Sequence, residues 1–308
     1  MESRENVAKT LARQRALEFI LRLIGEEADK RELLCYAVGG CVRDLFLDRP
    51  TTDIDVMVVG DGVQFAHQVA DRLRVNTVVA YEKFGTAMIP YRDYDIEVAT
   101  ARSESYTEDS RKPAIEQADV ETDAARRDFT INAIAVSLNN ETYGDLRDPF
   151  HGRRDLKRRL IRTPLAPTET FNEDPLRMLR AIRFAAQLHF KIHKQTLQAI
   201  REERERIEIV SRERIRDELL KMLNAEVPSQ GLYLLHSTGL LKIILPEFAE
   251  MEGVEEREGY HHKDVLHHTF QVVDNVAELT DKTELRLAAL VHDIAKPATK
   301  RFRKGVGW

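Results

Sequence analysis

Cysteine is scarce in this chain of 308 residues: only Cys35 and Cys41 occur. Neither their number nor their spacing fits a disulfide framework or a zinc site. Long apolar runs are missing too, and none approaches the roughly 20 residues that span a bilayer. No secretory leader is read at the N-terminus, so the expected compartment is a reducing cytoplasm, with no membrane partner. An excess of positive charge is also lacking. The formal net charge of -5 gives no global signature of a nucleic-acid binder, and contact with an anionic polymer would fall to local basic clusters. The hydrophobic fraction of 43% and the charged fraction of 32% fit a globular chain with charge-laced helices, long enough for two or three domains.

Chemistry concentrates first around Gly39-Gly40. The apolar run 33–38 reads as a strand, the two glycines as a turn, and Cys41 to Leu47 as a helix. Glycine lets backbone N–H groups approach a phosphate, and a helix N-terminus favours negative charge. The next strand carries Asp53 and Asp55 at i and i+2, which alternation puts on one face. A phosphate cradle beside paired carboxylates suits metal-dependent phosphoryl or nucleotidyl transfer, because hard oxygen ligands hold Mg²⁺ against phosphate and hydroxyl.

An amphipathic helix is read over 5–24 and another from about Val63 to Leu73. Further strands fall near 77–80, 87–89 and 94–99. In the last of these Asp95 and Glu97 share a face, and Glu97 becomes a third catalytic carboxylate if this strand pairs near Asp53; a solvent-facing acidic pair is the alternative. The polar stretch from Arg102 to Ala125 reads as a long mobile loop. Arg126 and Arg127 have the chemistry to grip a triphosphate, and Asp128 and Asn132 that to bond ribose hydroxyls, with plain ion pairing as the other reading. Arg153 to Arg162 holds six basic residues and one acid, a solvated face or a landing strip for an anionic backbone. From about Pro164 strands give way to helices. Asn172 is read as the N-cap of a helix containing Asp174 and Arg177, and the spacing of that pair predicts a local salt bridge. Ser211 is read as capping a later helix, and Pro246 as ending a pair of short ones.

Histidines gather late: His261, His262, His267, His268, then His292-Asp293. Imidazoles with a carboxylate suit a divalent transition metal, and His268, His292 and Asp293 form a candidate phosphohydrolase site. The ligand set is incomplete, so structural histidines are the preferred reading.

The ordered series of motifs resembles the class II tRNA nucleotidyltransferases, comprising CCA-adding enzymes and bacterial poly(A) polymerases of the polymerase-beta superfamily. It runs Gly39-Gly40-Cys41-Val42-Arg43-Asp44, Asp53-Ile54-Asp55, the segment Arg126 to Ala133, Asp148 to Gly152, and Glu173 to Arg177. The resemblance implies an α+β fold: a mixed-sheet nucleotidyltransferase head over 1–163, an all-helical neck over 164–250, and a partial HD-like helical domain over 251–308. It also implies body and tail elements beyond Trp308, so a C-terminally truncated member is expected. Asp53 and Asp55 would hold Mg²⁺. Gly39, Gly40, Arg43, Arg126, Arg127, Asp128 and Asn132 would bind the nucleotide's sugar and phosphates. Asp174 and Arg177 would read its base, with Arg180 and Arg183 also among the nucleotide-binding residues, and the HD-like segment would take a second divalent metal. The partners implied are tRNA, CTP and ATP.

Base reading has an independent rationale. Cytosine and adenine each present an amino donor beside a ring-nitrogen acceptor, whereas uracil and guanine present a carbonyl beside a ring N–H. A carboxylate and an arginine held together therefore match C and A, and mismatched partners on U and G cost roughly 1–3 kcal/mol when buried. The expected activity is template-independent addition of CCA to tRNA 3′ ends with release of pyrophosphate. The alternatives are a poly(A) polymerase, or an HD phosphohydrolase carrying an RNA-binding head.

Overall fold

The computed structural model describes residues 15–107, 110–117, 119–258 and 261–299. Its first helix, α1 (Arg15–Asp29), turns Leu17, Ile20, Leu21, Ile24 and Ala28 inward at three- and four-residue spacing. Burying such large side chains contributes roughly 1.5–3 kcal/mol each. The helix read over 5–24 is thus present from residue 15 and continues to Asp29; its earlier part lies outside the described residues.

β1 (Leu34–Val38) runs directly into α2 (Gly39–Phe46), and β2 (Asp53–Val59) returns antiparallel to β1. α3 (Gly62–Leu73) follows, capped by the Asp61 carboxylate, which accepts the Gln64 N–H. It leads to β3 (Val79–Tyr81), β4 (Thr86–Tyr91) and β5 (Tyr94–Thr100). β6 (Arg102–Thr107) and β7 (Ser110–Gln117) form a separate antiparallel hairpin. The remainder of this unit comprises α4 (Val120–Ala125), β8 (Ala135–Ser137), β9 (Leu146–Arg147) and α5 (Gly152–Arg158). Among the described residues the main sheet has seven strands in the order β3-β4-β5-β2-β1-β8-β9. It is mixed because β2 and β5 pair parallel while its other pairs are antiparallel.

The expected mobile loop over 102–125 is therefore a hairpin followed by a helix. Its polar text has little apolar periodicity, yet a backbone ladder needs only N–H and C=O groups, which every residue but proline supplies. Part of the basic run is likewise engaged internally: buried Asp155 accepts from Arg162 Nε at 2.9 Å and Nη2 at 2.8 Å, and from the Thr130 hydroxyl at 2.7 Å.

The chain forms two compact units, the first reaching Arg158 and including Arg162–Leu165, the second comprising Arg159–Ile161 and the chain from Ala166. The second contains β10 (Leu160–Ile161), α6 (Pro167–Glu173), α7 (Leu176–Leu188), β11 (Lys191–Ile192), α8 (Lys194–Glu203), α9 (Arg212–Leu223), α10 (Pro228–Thr238), α11 (Leu240–Ile244) and α12 (Pro246–Ala249). After them come β12 (Glu255–Glu258), β13 (His261–Asp264), α13 (Val265–Leu279), α14 (Thr283–Val291) and α15 (Lys296–Thr299). Ser211 caps α9 as expected, accepting the Arg214 N–H. Asn172, expected as an N-cap, lies inside α6; Pro175 precludes a continuous helix through Asp174, so α7 starts after it. α11 ends at Ile244, ahead of Pro246 as expected, and Pro246 also opens α12, because a first-turn proline forfeits no helical hydrogen bond. Arg286 ties the ends of α9 and α13 together, donating to the carbonyls of Leu223, Ala225 and Thr280. Among the described residues no helix is long and apolar enough to cross a membrane.

Candidate active site

Across the parallel β2–β5 pair Asp53 stands beside Asp95, and Asp55 beside Glu97. Strand alternation sends Ile54, Val56, Ile96 and Val98 into the core and leaves the carboxylates on the other face. Asp53, Asp55, Asp95 and Glu97 line one cavity of about 320 Å³ with Gly40, Arg43, Asp44 and Thr51. The pairing on which the Glu97 assignment depended is thus present.

The glycine turn touches this ladder. Gly39 has φ +72°, a left-handed conformation that glycine alone adopts without a side-chain penalty. A β-carbon there would stand 2.6 Å from Asp55 Oδ2 and 3.2 Å from Arg127 Nη1. The Gly40 N–H, expected to face a phosphate, donates to Asp55 Oδ2 at 3.2 Å. Burial pushes the Asp55 carboxyl above its ordinary range and the neighbouring Asp53 charge adds to this, while Arg127, the Gly40 N–H and Arg43 pull the other way. The oxygen-only donor set of Asp53, Asp55, Asp95 and Glu97 around one cavity fits a hard divalent cation such as Mg²⁺. Cys41, behind the turn, is fully buried, and burial pushes its thiol up to about 12.

Arg126, Arg127, Asp128 and Asn132 all belong to this first unit. Both arginines clasp buried Asp123, Arg126 through Oδ1 and Arg127 through Oδ2. A second chain of bonds starts at Asp128, whose carboxylate accepts the Asn132 amide at 3.0 Å; the Asn132 oxygen in turn accepts Arg43 Nη1 at 3.0 Å. Arg43 also forks onto Asp44. The fold thereby brings motif residues from three separate segments to one end of β1 and β2.

In the second unit, Asp174 and Arg177 do not form the predicted salt bridge with each other. Asp174 lies in the break between α6 and α7, where its carboxylate accepts the Leu176 N–H at 3.1 Å and Arg214 Nη2 at 2.8 Å. Arg177 bonds Glu173 Oε2 at 2.7 Å. Arg180 is half-buried on α7 with its guanidinium 5.7 Å from the Phe184 ring centroid. Arg183, expected among the nucleotide-binding residues, is buried, with Nε 2.6 Å from Glu218 and the guanidinium over Phe184; it ties α7 to α9.

His268, His292 and Asp293 come together in the same unit, with ligand atoms all within 4.8 Å of one another. His292 Nδ1 lies 2.7 Å from the Ala289 carbonyl, an arrangement that orients an imidazole and leaves Nε2 as the ligating atom. This set fits a divalent transition metal, beyond the structural role preferred from sequence. Beside it a cavity of about 560 Å³ is lined by His268, His267, Tyr233, Asp264, Gln271, Ser229 and Asp274. Two side chains absent from the sequence reading of the site are Asp123 and Arg214. Acid-to-arginine spacing of three and four residues was the available signal for Asp123; Arg214 had none, being distant from Asp174 in the chain.

Mixed sheet, glycine turn and in-register carboxylates define a nucleotidyltransferase-type head. Family comparisons agree: residues 35–162 match the Poly A polymerase head domain, residues 189–252 the probable RNA and SrmB-binding site of polymerase A, and residues 265–305 the HD domain. A-adding tRNA nucleotidyltransferase of Geobacter sulfurreducens is 39% identical over 231 residues, 74% of this chain and 26% of that protein. CCA-adding enzyme of Lactobacillus helveticus is 37% identical over 216 residues, 70% and 52% respectively. The crystal structure of a tRNA nucleotidyltransferase complexed with a primer tRNA and an incoming ATP analog aligns with TM-score 0.71 and 34% identity, covering 88% of this chain and 75% of that one. The chain belongs to the tRNA nucleotidyltransferase and poly(A) polymerase family. It spans about half or less of the length of these two curated relatives.

Proposed function

We propose that this chain is a divalent-metal-dependent, template-independent nucleotidyltransferase of the cytoplasm that adds C, C and A to tRNA 3′ ends from CTP and ATP. The observation that carries the reading is the β2–β5 register, which sets Glu97 beside Asp55 over the cavity that Asp53 and Arg43 also line. Asp53 and Asp55 are the residues that would hold Mg²⁺, which when bound neutralises phosphate charge and acidifies the attacking hydroxyl. Glu97 accepts the proton of the primer's 3′-hydroxyl. Arg126 and Arg127 bind the triphosphate, whose departing pyrophosphate carries the developing charge. Asp128 and Asn132 orient the ribose, and Asp174 with Arg177 selects the base. Addition of A alone is a second reading, favoured by the A-adding relative at 39% identity. The His268, His292 and Asp293 set is proposed as a second divalent-metal site.

Purified chain is incubated with tRNA ending just before CCA, tRNA ending in CC, Mg²⁺ and each labelled NTP, beside the Asp53→Ala, Asp55→Ala double variant. Growth by three residues that requires CTP and then ATP, and that vanishes in the variant, is expected. Extension of the CC-ended substrate alone favours A-addition, and long A tails a poly(A) polymerase. No incorporation on either substrate overturns nucleotidyl transfer by this chain.

A further inference from the structure

Asp123 enters no step described above, yet it is among the most deeply buried charged groups of the head, its side chain only 2% exposed. It sits on α4, the helix immediately following the β6–β7 hairpin, and its two oxygens are divided between two guanidiniums. Arg126 approaches Oδ1, with Nε at 3.0 Å; Arg127 approaches Oδ2, with Nε at 3.0 Å and Nη2 at 2.9 Å. Both arginines therefore commit the Nε–Nη2 edge to the same carboxylate. For Arg127 this fixes where the opposite edge points: Nη1 stands 3.2 Å from the position a Gly39 β-carbon would take, at the mouth of the glycine turn and next to Asp55. Val120, the first residue of α4, packs on the cluster of Tyr36, Val38, Met57, Ala101 and Ala135, so the helix is anchored to the face of the sheet that carries Asp53 and Asp55.

We infer that Asp123 is a positioning residue for the nucleotide's triphosphate: it orders Arg126 and Arg127 in advance, so that no side-chain freedom is lost when the phosphates arrive. A long arginine surrenders substantial rotamer entropy on being fixed, and fixing it before binding removes that cost from the affinity. The inference rests on the nucleotidyltransferase reading above. Its sign separates it from simple charge balance. Deleting the carboxylate makes the pocket more positive, which by Coulomb attraction alone tightens a triphosphate; loss of ordering weakens it.

The test is equilibrium binding of CTP, of ATP and of inorganic pyrophosphate to the full chain, without tRNA, for wild type, Asp123→Asn and Asp123→Glu, with steady-state kinetics alongside. Asp123→Asn is expected to weaken all three ligands about tenfold and to about the same extent, because they share only the phosphates, and to raise KM far more than it lowers kcat. Asp123→Glu, which keeps the charge but lengthens the arm, should fall between. Should Asp123→Asn fail to fold, unchanged binding in Asp123→Glu overturns the inference. Equal or tighter binding in Asp123→Asn overturns it too, while leaving nucleotidyl transfer intact. Failure of wild type to bind CTP or ATP sinks both readings together.

Discussion

Burial by itself would raise the Asp123 carboxyl, but the guanidiniums of Arg127 and Arg126 hold it below the usual aspartate range. A carboxyl depressed in the folded state stabilises the fold above its unfolded pKa, and that stabilisation is lost as pH falls through the folded value. The stability gap between wild type and Asp123→Asn, measured by urea melts across pH, should be full at pH 7. It should narrow once pH drops below about 3.9, the ordinary aspartate value, and disappear at lower pH. A gap that stays constant to strong acid contradicts the pairing. The residue scale is also where sequence reading was weakest. Asp53 and Asp55 were legible as a pair because strand alternation assigns faces from adjacent residues alone, whereas Glu97 stayed conditional on the β2–β5 pairing. Asp174 and Arg177 were legible as a pair by spacing, but not in their bonding, since Pro175 breaks the helix between them and Arg214 arrives from α9. Arg183 looks like any other helical arginine until Glu218, from a distant segment, buries it.

At the scale of the element, the turn from β1 into α2 concentrates the constraint. A side chain at Gly39 meets an unfavourable left-handed backbone and a contact with Asp55 at once. Gly39→Ala is therefore expected to cut nucleotide incorporation by roughly a hundredfold or more while costing the fold only about 1–2 kcal/mol. Activity assays beside thermal melts check this, and a variant retaining near-normal turnover would show that the turn tolerates displacement of Asp55. α3 and β2 follow from local patterns, apolar spacing and an aspartate cap in one case, alternation in the other. The β6–β7 hairpin does not, because nothing in a polar stretch announces which segment will complete its ladder. Nor does the parallel register of β2 with β5, which depends on a crossover through α3, β3 and β4.

Over the molecule as a whole, two chemically distinct centres lie in two units: oxygen-only donors in the first, imidazoles with one carboxylate in the second. Hard and borderline donor sets bind different cations with different strength. Calorimetric titration of the full chain with Mn²⁺ should resolve two classes of site. His292→Ala should remove one class and spare incorporation of CTP; Asp53→Ala with Asp55→Ala should remove the other. Retention of both classes in His292→Ala would return the histidines to a structural role. The alternation of sheet text and helix text along the chain made the mixed head and the helical remainder legible. His268, His292 and Asp293 were legible as candidates, but their meeting was not, because His268 reaches His292 and Asp293 only through the packing of α13 on α14.

The β2–β5 ladder also bears on how the chain reaches its fold. Asp53, Asp55, Asp95 and Glu97 crowd four acids onto neighbouring rungs of one parallel pair, and like charges across strands oppose pairing. Closing the centre of the sheet therefore works against electrostatic repulsion until counter-ions gather. Divalent cation is therefore expected to speed assembly of the head, and refolding from urea should run faster in millimolar Mg²⁺ than in matched monovalent salt.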